Sequence, residues 1–135
     1  MPDYCQVGMG QICSAKFRDL LERLDPGIHQ FVPVEIVTKK KDHIADMFWF
    51  IPCNRLDTLV LDQISPLLDE MGYFYFQLRP ENQPLRIVFD REKIGQSHIW
   101  CERRCDGWIW TSNTFKDMVA SEELQGLDFT EHHLH

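Results

Sequence analysis

The sequence predicts a single α+β domain, with a largely antiparallel sheet packed by two main helices. Three observations predict it. A unit of strand, serine-capped helix, glycine and strand occurs twice. The residues between the two copies read mostly as strands. No Gly/Ser/Pro-rich tract divides the chain, so residues 1–135 are read as one domain.

The first copy is "GQICSAKFRDLLERLDPGIHQF" (10–31) and the second "GWIWTSNTFKDMVASEELQGLDF" (107–129). Aligned on their serines, Ser14 matches Ser112, Phe17 matches Phe115 and Asp19 matches Asp117. In each copy a β-like stretch runs into a serine, whose hydroxyl accepts an otherwise orphan backbone N–H at a helix start. Phe17, Leu20, Leu21 and Leu24 then form one apolar stripe, and Phe115, Met118 and Val119 another. This i, i+3, i+4 spacing predicts helices that pack on a sheet. Gly27 and Gly126 are expected to end them, and strands are expected at 29–37 and 127–129.

Between the copies, "HQFVPVEIV", a polar turn region and "MFWFIPC" read as a hairpin with a longer loop. Pro33 makes the first of these an edge strand or a bulged one. Short strands are expected at 58–64, 73–78 and 85–90, a turn at 65–72, and a helical turn over 91–97 ended by Gly95. The polar tail "EHHLH" (131–135) is expected to be frayed.

The stretch "HIWCERRCDGWIWTS" (98–112) concentrates one His, two Cys and three Trp. "HIWCE" and "GWIWT" fit two strands and "RRCDG" (103–107) the turn between them, with Asp106-Gly107 as the turn signal and Trp100 facing Trp110. The alternative is a small zinc-binding or enzymatic domain centred on His98, Cys101 and Cys105. Three features count against it. His98 and Cys101 lie on opposite faces of one strand, a second ligand pair at matching spacing is absent, and Cys5, Cys13 and Cys53 are isolated.

Composition narrows the function. Net charge is −7, which disfavours nucleic acid and anionic membrane surfaces and suits a basic partner. No apolar run is long enough to span a bilayer, and no signal peptide opens the chain. Five cysteines, an odd number, read as reduced thiols in a cytoplasmic protein. Phosphate-binding loops and the nucleophile elbow are missing, and no carboxylates stand out as an acid–base pair, so the chain is read as a non-enzyme without a cofactor.

The order of several segments resembles a known family. "FRDLL" (17–21), Pro26-Gly27, "FVPVE" (31–35), "NRLDTLVLDQIS" (54–65), "REKIGQSHIW" (91–100), "TSNTFKDMV" (111–119) and "QGLDF" (125–129) are together similar to the immunity-protein family of bacterial polymorphic toxin systems, long catalogued as a domain of unknown function. The resemblance covers nearly the whole chain. Segment 66–84 has no match in that pattern, and the cysteines of "CERRCDGW" depart from it. The resemblance also implies that an N-terminal portion found in many members is short or missing here. It implies a cytoplasmic, non-enzymatic protein that protects a bacterium from a cognate toxin effector, such as a nuclease with a basic active-site cleft. Occlusion of that cleft would draw on acidic side chains, with Asp57, Asp62, Asp69, Glu70, Glu102 and Asp106 as candidates. Tyr73, Tyr75 and Trp108 are the candidate aromatic anchors.

Overall fold

A computed structural model of the chain describes residues 1–74 and 80–134, with Asp106 described by its backbone alone. Twelve elements follow in order: β1 (Tyr4–Val7), β2 (Gly10–Cys13), α1 (Ala15–Leu24), β3 (Gln30–Val37), β4 (His43–Ile51), β5 (Arg55–Leu56), β6 (Val88–Phe89), α2 (Arg91–Ile94), β7 (Ile99–Glu102), β8 (Cys105–Thr111), α3 (Asn113–Ser121) and β9 (His133–Leu134). They build sheets ordered β1-β2-β4-β3, β5-β7-β8 and β6-β9. The chain is therefore α+β and rich in antiparallel pairs, as the sequence predicts.

Both helices begin as expected. Ser14 and Ser112 adopt nearly the same extended conformation, with φ and ψ of −75° and 166° in one and −74° and 159° in the other. Each side chain accepts the N–H of the phenylalanine three residues on, at 3.1 Å. The apolar stripes bury Phe17, Leu20 and Leu21 from α1 and Phe115 and Val119 from α3. The two phenylalanines meet edge to face at 5.8 Å. Phe50 and Cys13 of the first sheet and Ile99 of β7 complete this core. Full burial of each such side chain contributes roughly 1.5–3 kcal/mol.

A second core lies on the other face of β7 and β8. It joins Trp100, Trp110 and Cys105 to Leu59, Ile64, Phe74, Ile87 and Phe89. The register places Trp100 opposite Trp110, as expected. The turn lies within the expected 103–107 segment but is shorter, and it does not use the Asp-Gly pair. Glu102 pairs with Cys105, so the hairpin turns at Arg103-Arg104, and Asp106-Gly107 lies within β8. Gly107, at φ 87°, supplies a left-handed step inside the strand rather than at its turn.

The helix ends also differ from expectation. The C-caps are Asp25 and Glu122, and Glu123 takes the left-handed conformation after α3. Gly126 serves a different purpose, because a Cβ there would lie 2.1 Å from the Tyr4 carbonyl oxygen. It lets the chain after α3 pass against β1. No strand forms at 127–129. The tail is docked rather than frayed: β9 pairs in parallel with β6, and the His132 ring meets Trp110 at 5.4 Å. The expected strand at 73–78 falls largely outside the described residues. The one at 58–64 is reduced to an isolated bridge from Leu59 to Phe89.

Long-range hydrogen bonds show that the repeated unit is larger than strand–helix–strand. Each copy is a hairpin followed by a helix, β1-β2-α1 and β7-β8-α3. In the first, the Ser14 N–H donates to the Asp3 carbonyl at 2.8 Å; in the second, the Ser112 N–H donates to the His98 carbonyl at 2.9 Å. The copies hold each other reciprocally. The carboxylate of Asp25, after α1, accepts the N–H groups of His98 and Ile99. The carbonyl of Gln125, after α3, accepts those of Asp3 and Tyr4.

Candidate functional site

A serine next to a histidine is the first arrangement to test for chemistry. Ser112 Oγ lies 2.7 Å from His98 Nδ1, beside a cleft of about 1070 Å³ that Gln6, Gln11, Trp108 and His132 also line. The other copy explains the contact. There Ser14 Oγ donates to the Asp3 carboxylate, also at 2.7 Å. In both copies the serine hydroxyl joins the helix start to the residue that precedes the hairpin. Asp25, the carboxylate nearest in the fold, meets His98 at its backbone N–H and not at its ring. The geometry is that of a cap made twice.

His29 is structural in the same way. Its ring is buried, Nε2 faces Asp25 at 3.2 Å, and Nδ1 accepts the Cys53 N–H at 3.1 Å. Nδ1 is therefore the acceptor, and Nε2 carries the proton that Asp25 receives.

The alternative zinc-binding centre at His98, Cys101 and Cys105 gains no support. Cys105 is buried in the second core, and the ring of His98 is engaged with Ser112. Among the described residues, no group of three or more His, Cys, Asp or Glu side chains could hold a metal ion.

Several of the candidate interface residues do come together, around the β7–β8 turn. Arg104 donates to Asp57 at 2.9 and 3.4 Å and to the Gly72 carbonyl at 3.1 Å. Asp69 Oδ1 accepts the N–H groups of Met71 and Tyr73, each at 2.9 Å, and so closes the loop that carries Glu70. A small concavity of about 390 Å³ opens here, lined by Arg55, Met71, Gly72, Tyr73, Arg103 and Arg104.

Glu102 has to leave the surface set. It is 1% exposed, and its carboxylate accepts the N–H and hydroxyl of Thr58. Burial pushes its pKa upward, and the Thr58 bonds oppose that shift only in part. The register shifts between Cys101 and Glu102, and Glu102 is buried along with Ile99 and Trp100 of the same strand.

The remaining candidates stay apart or outside. Asp62 is exposed in a separate turn, and Trp108 is 48% exposed and stacks on Trp110 at 6.4 Å. Tyr75 and the Asp106 side chain lie outside the described residues. Sequence reasoning missed the arginines. The signal was the adjacent Arg103-Arg104 pair, which the stronger Asp-Gly turn signal overshadowed.

Among the described residues, no helix is long and apolar enough to cross a membrane. Residues 1–133 match the model of the Immunity protein family (Imm11). No curated protein and no solved structure matches the chain.

Proposed function

The chain belongs to the immunity protein family Imm11, which its sequence matches over residues 1–133, and we propose that it binds and neutralises a cognate toxin domain without chemistry of its own. Family membership is the observation that carries this reading. The repeated Ser–helix cap supports it, because it gives the best-placed serine and histidine a structural role.

Inhibition acts by occlusion. The toxin presents a basic active-site cleft, as a nuclease does, and the inhibitor covers it. A net charge of −7 steers the encounter with such a cleft. Asp62, Asp69 and Glu70 are exposed and supply acidic contacts. Asp57 is half-buried beside Arg104 and acts within a mixed-charge rim, with Tyr73 at its edge and Trp108 as a separate aromatic contact. The protein acts in the cytoplasm, where an incoming toxin would meet its target.

Co-expression with the toxin encoded beside its gene tests this proposal. Protection of the cells, with a one-to-one complex from the purified pair whose association slows as salt rises, is the expected result. Failure both to protect and to bind would overturn it.

A further inference from the structure

The four-stranded sheet has two unlike faces. One carries Tyr4, Cys13, Phe31, Phe48 and Phe50 against the helices. On the other, a row of directly paired residues crosses all four strands: Cys5, Ile12, Trp49 and Val32. Met47 pairs with Val34 on the same side, and Ala45 with Ile36. No strand residue on this face is charged, and Gln30 is its one polar side chain, in a chain that is 26% charged.

Among the described residues, neither core cluster includes a residue of this face. Val7, Val32, Trp49 and Ile51 remain 44, 48, 37 and 36% exposed. Ile12 and Met47 are 3 and 4% exposed, yet they belong to neither core cluster. The Trp49 ring lies across Gly10 so closely that a Cβ there would fall 2.2 Å from it.

We infer that a second copy of the chain covers this face, forming a two-fold dimer through packed sheets. Composition selects that occupant, because homodimer interfaces are more apolar than those between unlike partners. Charge selects it too. Two chains of −7 repel, and this face lets them meet without placing like charges opposite one another.

Pairing of edge strands is the competing route. Pro33 interrupts the β3 edge, because it has no N–H to offer a neighbour. The available area sets the strength. Four strands spaced about 4.8 Å apart give on the order of 500 Å² of face per copy. The total, about 1,000 Å², stands at the lower limit of specific interfaces, so the dimer depends on concentration.

Sedimentation velocity from about 1 to about 500 µM brackets an interface of that size. The average mass should rise from 16.0 kDa toward twice that value. Val32→Glu places a carboxylate on the exposed edge of the face and should hold the mass at 16.0 kDa throughout, with unchanged circular dichroism. Val7→Glu, on the opposite edge strand, gives a second test should Val32→Glu not fold. Leu67→Glu, at a 70% exposed site outside this sheet, should leave the dimer intact. A wild-type chain that stays monomeric over the whole range overturns the inference, as does a folded glutamate variant that still dimerises. Loss of toxin protection in Val32→Glu with a monomeric wild type would assign the face to the toxin instead and equally overturn it.

Discussion

Removal of the Asp25 carboxylate should destabilise the fold more than any other single surface or cap change. Asp25 is 4% exposed and receives three donors: the N–H of His98 at 3.1 Å, the N–H of Ile99 at 2.9 Å, and His29 Nε2 at 3.2 Å. In Asp25→Ala all three lose their acceptor. Hydrogen bonds to a charged group contribute about 1.5–3 kcal/mol each, and an orphaned buried donor costs about 1–3 kcal/mol. The three share one carboxylate, and water can reach the half-buried His98 N–H. We therefore expect a loss of about 4 kcal/mol, against a typical total of roughly 5–15 kcal/mol. For a chain of this length that lowers Tm by roughly 10–15 °C. Asp3, which precedes the first hairpin as His98 precedes the second, gives the comparison: its carboxylate accepts the exposed Gln125 N–H and the Ser14 hydroxyl, which keeps its capping bond to Phe17. Asp3→Ala should cost only about 1 kcal/mol. Urea unfolding followed by tryptophan fluorescence measures both. A loss below about 1 kcal/mol for Asp25→Ala, or equal losses for the two variants, would refute the claim that this carboxylate holds the two units together.

Three further outcomes follow from burial and charge. Alkylation of the native protein with iodoacetamide should modify the exposed Cys53 first. Cys13, whose thiol burial pushes up to about 12, should react only after unfolding, and peptide mass spectrometry would detect early labelling that contradicts this. The raised pKa of Glu102 means that the unfolded chain releases this proton at lower pH than the folded one. Its contribution to stability therefore falls as pH rises from the ordinary carboxylate value to the folded one. Glu102→Gln keeps an acceptor for Thr58 and removes that dependence, so its stability relative to wild type should improve as pH rises above the ordinary carboxylate value; a constant difference in urea titrations would count against it. Burial against Trp110 lowers the pKa of His132, with His133 adding to the shift. The unfolded tail then binds a proton more readily than the docked one, so docking weakens as pH falls below about 6.5. Protection from hydrogen exchange at His133, whose N–H donates to the Ile87 carbonyl, measured against the intrinsic rate at each pH, should fall in that range in wild type and much less in His132→Phe.

Local chemistry was legible in the sequence, and long-range chemistry was not. The two serine caps, the apolar stripes of α1 and α3, the edge position of β3 and the Trp100–Trp110 pair all depend on neighbours in sequence or on strand alternation. The misplaced β7–β8 turn shows where a local rule loses. Asp106-Gly107 is the better turn pair in isolation, but burial of Cys105 in the second core draws it into the strand. Glu102 shows the same competition, since its face reads as solvent only if nothing packs on β7. The clustering of Asp57 with Arg104 and Gly72 joins segments far apart in sequence, with no periodic signal to announce it. The docked tail depends on Trp110 and on β6, neither of which marks the terminal histidines as special.

The reciprocal clasp bears on how an inhibitor of this kind works. A protein proposed to act by binding alone gains affinity from surfaces already in their bound shape, because ordering them on contact costs free energy. Here each hairpin is fixed at both ends: its own serine ties it to the following helix, and the other copy's residue holds its first amides. Neither unit completes its backbone hydrogen bonds without the other. The β7–β8 turn, with Arg104 anchored on Asp57 and Gly72, is held from below by the buried Glu102–Thr58 pair. The rim is thus tied to β7, whose first amides are held by Asp25 from the other copy. Loosening the distant Asp25 contact should reduce the rim's order, and with it toxin binding, even though no rim side chain has changed.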